Sequence, residues 1–259
     1  MKKLILSILF ILYLSFQASA WNPMVVVSGS GAATDWSTIG FFWRCESETL
    51  SATLDRYGLN NSGDNTGAPV NEAVLDAVIY KYGSYSCDFQ SDGDYYNFAT
   101  CSDSQVLGTE GRLGFWFHVE DWTDAKPIMT IEGGTVATNS ARLFMVDTDD
   151  LQFTWIGNSV TADPLTTTAL GLTTGVWYYI EYAFKQSTPY REIFVNGVSK
   201  GSSSSAMTAF SQVPGELKIG DMLGGGDPQT DFHMDNIIFS TDSTLDLYVN
   251  FSGDLEYGD

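Results

Sequence analysis

Residues 175–198 read GVWYYIEYAFKQSTPYREIFVNGV. Side chains of a strand alternate between its two faces. That rule puts Tyr178, Ile180, Tyr182 and Phe184 on one side, and Trp177, Tyr179, Glu181 and Ala183 on the other. The first set suits a core, whereas the mixed second set faces outward or into a concave groove. The run YREIFVNGVSKG (190–201) then folds back at Asn196-Gly197. A two-residue type I′ turn needs positive φ at both central positions, and Asn-Gly meets that need. A long alternating strand entering a tight hairpin argues an antiparallel sheet.

The same pattern recurs along the chain. In GRLGFWFHVED (111–121), Leu113, Phe115, Phe117 and Val119 share one side, and Trp116, His118 and Glu120 the other. Further strand candidates are GFFWRCE (40–46), SYSCDF (84–89), YYNFAT (95–100), KPIMTIE (126–132), ARLFMVD (141–147), LQFTWIG (151–157), GELKIG (215–220) and FHMDNIIFS (232–240). Turn-rich segments such as EGGTVATNS (132–140) and MLGGGDPQTD (222–231) separate them. Many short strands at fairly even spacing predict an all-β fold, an antiparallel β-sandwich or a barrel. A single possible helical turn falls around Glu72–Val78. No repeat or long linker divides the chain.

The first twenty residues, MKKLILSILFILYLSFQASA, place two lysines before an apolar run and close on Ala18-Ser19-Ala20. This pattern predicts a cleaved signal peptide over 1–20 and an exported mature chain, 21–259, forming one domain. Cleavage takes Lys2 and Lys3 and moves the net charge from −20 to −22. Such an acidic surface repels nucleic acid and anionic lipid, so neither is expected as a partner, and no membrane insertion is expected. An exported chain can form disulfides, and three cysteines are present: Cys45, Cys87 and Cys101. The stretch CDFQSDGDYYNFATC (87–101) reads as a hairpin that brings its ends together, which favours Cys87–Cys101. A pairing through Cys45 is the alternative, because sequence alone does not decide connectivity.

Three segments together carry a family resemblance: GRLGFWFHVEDW (111–122), GVWYYIEYAFKQSTPYREIFVNGV (175–198) and FHMDNIIFS (232–240). Their order and spacing resemble the laminin-G-like, concanavalin A-like lectin/glucanase superfamily over about residues 41–240. The resemblance implies a jelly roll of two curved antiparallel sheets, with the opening and closing strands near each other. It also implies a structural calcium ion where those strands approach, with Glu46 and Asp235 at matching positions. Asp147, Asp149, Asp150, Asp227 and Asp231 stay open as alternatives in turns.

One fold hosts many activities, so function must come from the site. Glycoside hydrolysis needs two carboxylates flanking the scissile bond. The Glu-x-Asp-x-x-Glu strand of laminarinase-like relatives is missing, and so are the Arg-rich and Gln-x-His strands of alginate-lyase relatives. The sequence therefore names no catalytic residue. Glu120 and Glu181 would be the pair to examine in a polysaccharide-degrading enzyme. Carbohydrate binding fits better: an aromatic platform covers the apolar face of a pyranose while carboxylates or amides bond its hydroxyls. Trp116, His118, Glu120, Tyr179 and Glu181 form that candidate set if they line an open groove; the rival expectation is that Trp116 packs beneath a covering loop. The functional expectation is a non-catalytic module that binds a polysaccharide or glycan outside the cell or in the periplasm. A structural or adhesive surface protein with a protein partner is the alternative.

Overall fold

The computed structural model describes residues 38–45, 68–70, 74–89, 95–98, 109–120, 126–133, 138–146, 150–212, 216–220 and 231–253. All lie within one compact unit, Asp35–Asp259. The expected signal peptide, Glu46, Cys101, Asp147, Asp149 and Asp227 lie outside the described residues.

Alternation builds two antiparallel sheets. The first contains β1 (Ile39–Trp43), β3 (Val74–Asp76), β4 (Ser86–Phe89), β6 (Glu110–Val119), β12 (Trp177–Lys185), β13 (Tyr190–Val195), β14 (Val198–Ser203) and β16 (Phe232–Ser240). Its order is β14-β13-β12-β6-β16-β4-β3, with β1 also paired to β16. The second contains β2 (Ala68–Val70), β5 (Tyr95–Phe98), β7 (Lys126–Glu132), β8 (Ser140–Val146), β9 (Asp150–Gly157), β10 (Val160–Thr161), β11 (Leu165–Thr166) and β15 (Glu216–Ile219). Its order is β10-β9-β8-β7-β15-β5-β2, with β11 beside β9. The architecture is the two-sheet sandwich that the strand pattern predicts, in the antiparallel jelly-roll form that the family resemblance implies.

The inward sets meet as expected. Phe115, Phe117, Ile180, Tyr182 and Phe184 join Leu143, Phe153, Trp155 and Ile219 in one buried cluster. Phe153 stacks on Tyr182 and Trp155 on Phe210. The Asn196-Gly197 hairpin has both φ angles positive, 50° and 73°, as a type I′ turn requires. Gly197 has a second reason to lack a side chain. A Cβ there would come within 2.6 Å of the Tyr248 ring.

Two expectations are corrected. Around Glu72–Val78 the chain forms no helical turn among its described residues; Val74–Asp76 is strand β3, paired with β4. The ladder with β4 outcompetes a weak local preference, and the Asp76 carboxylate then accepts the amides of Val78 and Ile79 to turn the chain out. Cys87 bonds not to Cys101 but to Cys45, with Cα atoms 5.3 Å apart. The reason is topological. Strand β4 pairs with Phe232–Met234 of β16, and β1 with Ile237–Ser240 of the same strand. The end of β1 therefore meets the start of β4, and the disulfide staples that joint.

Closing a loop with a sequence separation of 42 stabilises the fold by about 4 kcal/mol on a chain-entropy basis. Cys45→Ala should lower the denaturation midpoint in non-reducing urea titrations to near that of the reduced wild type. Peptide mapping should recover Cys45 linked to Cys87.

Candidate functional site

The outward face of the first sheet holds the carbohydrate-binding candidates and Asp235; of the turn alternatives for calcium, Asp150 opens β9 of the second sheet and Asp231 immediately precedes β16. On β6 the outward face presents Arg112, Trp116 and His118, on β12 Trp177, Tyr179 and Glu181, and on β16 His233 and Asp235. Cross-strand register sets Tyr179 beside Trp116 and His233 beside His118. The carbohydrate-binding candidates thus share one face, but not one open groove.

One half of the face is a second core. Ile39, Phe42, Trp116, Tyr179 and Ile238 pack against Leu247 and Phe251 of the short helix α1 (Leu247–Phe251). Trp116 is 8% exposed and Tyr179 fully buried. The Trp116 indole donates from Nε1 to the Ser252 carbonyl at 3.0 Å and meets the Tyr179 and Tyr82 rings edge-on. The Lys81 ammonium sits 4.1 Å from the centre of the Trp116 ring. Glu181 is also fully buried. Its Oε1 accepts from Arg112 Nε at 3.0 Å, Arg112 Nη2 at 2.9 Å and the Tyr248 amide at 3.0 Å. Burial pushes the Glu181 carboxyl up to about 7, against the pull of Arg112 and the Tyr248 amide. These groups fasten α1 to the sheet. Trp116 packs beneath a cover, as the rival expectation had it, and the cover includes a helix that the sequence did not signal.

Asp235 fastens the other cover. Its Oδ2 accepts the backbone amides of Lys81 and Tyr82 at 3.0 and 2.9 Å. Glu46, the other member of the expected calcium pair, lies outside the described residues.

The remaining part of the face is polar. His118, His233 and Asp88 form a row across β6, β16 and β4, with Trp177 next to His118 on β12. The imidazoles are 5.6 Å apart, edge to face. Glu120 follows at the exposed end of this row. Burial lowers the pKa of His118, and it brings His233 down to about 4, with His118 adding to the shift and Asp76 opposing it.

A separate cleft of about 500 Å³ lies beyond the Arg112 end, lined by Arg112, Lys185, Thr188, Tyr190, Ser243 and Thr244. Lys185 pairs with Glu110, which also accepts from Ser243. The Tyr190 hydroxyl donates to Glu192. Sequence reading missed this cleft because Tyr190 and Ser243 are 53 positions apart and meet only through the fold.

A family model described as the concanavalin A-like lectin/glucanases superfamily matches residues 89–250. The chain belongs to this superfamily. No curated protein matches its sequence. Among solved structures, the binding domain of Paraclostridial Mosquitocidal Protein 1 superposes with a TM-score of 0.62 at 11% identity, over 84% of this chain and 52% of that one. The receptor binding domain of botulinum neurotoxin C/D mosaic serotype gives 0.60 at 9%, over 84% and 51%. The botulinum neurotoxin serotype D ligand binding domain, in complex with N-acetylneuraminic acid, gives 0.57 at 12%, over 84% and 50%. The chain spans about half the length of these structures, and at such identities the likeness is one of fold. No helix among the described residues is long and apolar enough to cross a membrane.

Arg112→Met leaves Glu181 buried without its cation and should cost about 3–5 kcal/mol in urea unfolding, much of it recovered in Arg112→Met/Glu181→Leu. Between pH about 6.5 and about 4, His233 takes a proton in the unfolded chain but not in the folded one. Stability should therefore fall as pH drops through that window, and His233→Gln should flatten the decline.

Proposed function

We propose that the protein is an exported carbohydrate-binding module of the concanavalin A-like superfamily, and that the cleft beside Tyr190 receives the sugar. The observation that carries this reading is the make-up of the cleft. One aromatic ring stands among the hydroxyls of Thr188, Ser243 and Thr244 and the cations of Arg112 and Lys185. Its volume falls in the range of small-ligand sites, and a mostly preformed concavity with a few convergent polar groups is what such ligands need. A tyrosine ring offers an apolar face to pyranose C–H groups, and hydroxyls and cations bond the sugar oxygens or a sugar carboxylate.

The serotype D neurotoxin domain with its bound N-acetylneuraminic acid makes acidic sugars the first to try. The Cys45–Cys87 disulfide supports an oxidising compartment outside the cytosol. The covered set Trp116, Tyr179 and Glu181 holds the cover in place in this reading. His118 and Glu120 lie at the far end of the sheet.

Glycan-array screening followed by calorimetry tests the reading. Binding to a saccharide should weaken by at least about tenfold in Tyr190→Ala, with the thermal midpoint within a few degrees of wild type. No binding across neutral and acidic glycans, or binding indifferent to Tyr190→Ala and Thr188→Ala, would count against it.

A further inference from the structure

The chain has only two histidines, and the fold makes them direct cross-strand partners. We propose that His118, His233 and Glu120 form a binding site for a divalent transition-metal ion such as zinc, with Asp88 as the fourth donor.

The hydrogen bonds around His233 decide which of its nitrogens is available. Ser86 has a single hydroxyl proton, and it donates that proton to the Ile79 carbonyl. The Ser86 Oγ, 3.2 Å from His233 Nδ1, must then accept. The proton of the neutral imidazole sits on Nδ1, and Nε2 carries the lone pair. Metal-ligating histidines are commonly held in this way, with the second nitrogen donating to a fixed acceptor.

His233 is 1% exposed, and its Nε2 has no hydrogen-bond partner among the described residues. It points at two carboxylates, Asp88 Oδ1 at 3.8 Å and Glu120 Oε1 at 3.9 Å. A buried lone pair facing two anionic oxygens is unfavourable in the absence of a cation between them. The His118 Nδ1 is also buried without a hydrogen-bond partner among the described residues. One donor atom each from His118, Glu120 and His233 lies within 4.8 Å of the others, and Asp76, Asp88 and His233 meet the same limit.

Two imidazoles with carboxylates select a borderline metal over calcium or magnesium, which take oxygen ligands. Zinc at about 2.0–2.1 Å from its donors separates them by roughly 3.3–3.5 Å. Glu120 Oε1, 3.9 Å from His233 Nε2, must therefore approach by roughly 0.5 Å. Glu120 can supply that movement, because it stands exposed where β6 ends, whereas both rings are fixed on the sheet. The same exposed side gives the ion its way in. This site shares no residue with the Tyr190 cleft, so either can stand without the other.

The test uses untagged, chelator-treated protein titrated with zinc chloride and cobalt chloride. The expected result is one saturable equivalent by calorimetry and a cobalt d–d spectrum. Because the protein has two imidazoles in all, long-range ¹H–¹⁵N spectra report the site directly, and zinc should shift His233 Nε2 and His118 Nδ1. Glu120→Gln, at an exposed position, should weaken binding by at least about tenfold, and His118→Gln or His233→Gln should abolish it. The proposal is overturned by folded protein that shows no saturable zinc or cobalt binding, by affinity unchanged in Glu120→Gln together with unmoved imidazole signals, or by displacement of zinc with millimolar calcium.

Discussion

Strand β16 is buried along its whole length, all nine residues of Phe232–Ser240. A strand of a sandwich ordinarily has one face in the core and one in water. Here Phe232, Met234, Ile237 and Phe239 belong to the core between the sheets, while Ile238 on the opposite side joins a second apolar cluster. Sealing both faces takes polar groups out of water, and each then needs a partner or costs free energy.

The partners explain the outer cover. Glu181 Oε1 is engaged by Arg112 and the first turn of α1, Trp116 Nε1 by the Ser252 carbonyl, and Asp235 Oδ2 by two amides of the 77–85 segment. Asp246 caps α1 by accepting the Val249 amide. A helix of five residues would be marginal alone in water; here Leu247 and Phe251 dock on the sheet and the sheet's buried carboxylate bonds its backbone. In the histidine row His118 Nδ1 and His233 Nε2 have no hydrogen-bond partner among the described residues, and beneath the cover the same holds for the Tyr179 hydroxyl and Glu181 Oε2. What sets the histidine row apart is the pair of carboxylates, Asp88 and Glu120, that His233 Nε2 faces.

Much of the fold was legible from alternation. The β6 and β12 face assignments and the Asn196-Gly197 turn rest on short-range rules of stereochemistry, and such rules do not depend on distant residues. The sequence-favoured Cys87–Cys101 bond failed because a local hairpin argument cannot see that β1 and β4 share one edge of β16. The site was harder to read for the same reason. His118 and His233 are 115 positions apart, with no ligand spacing to betray them, and their meeting depends on β6 pairing with β16. Trp116, Tyr179 and Glu181 were rightly placed on one face, yet α1 carries too short a pattern to announce itself as their cover.

The most direct test of the sealed outer face is hydrogen exchange resolved by NMR at the Trp116 indole N–H and the Tyr248 amide. A face closed by α1 predicts protection of both near that of the central β16 amides, since all three would open only with the sandwich. Exchange of both at rates typical of exposed groups, with β16 still protected, would mean that α1 does not cover the sheet and that the face is open to solvent.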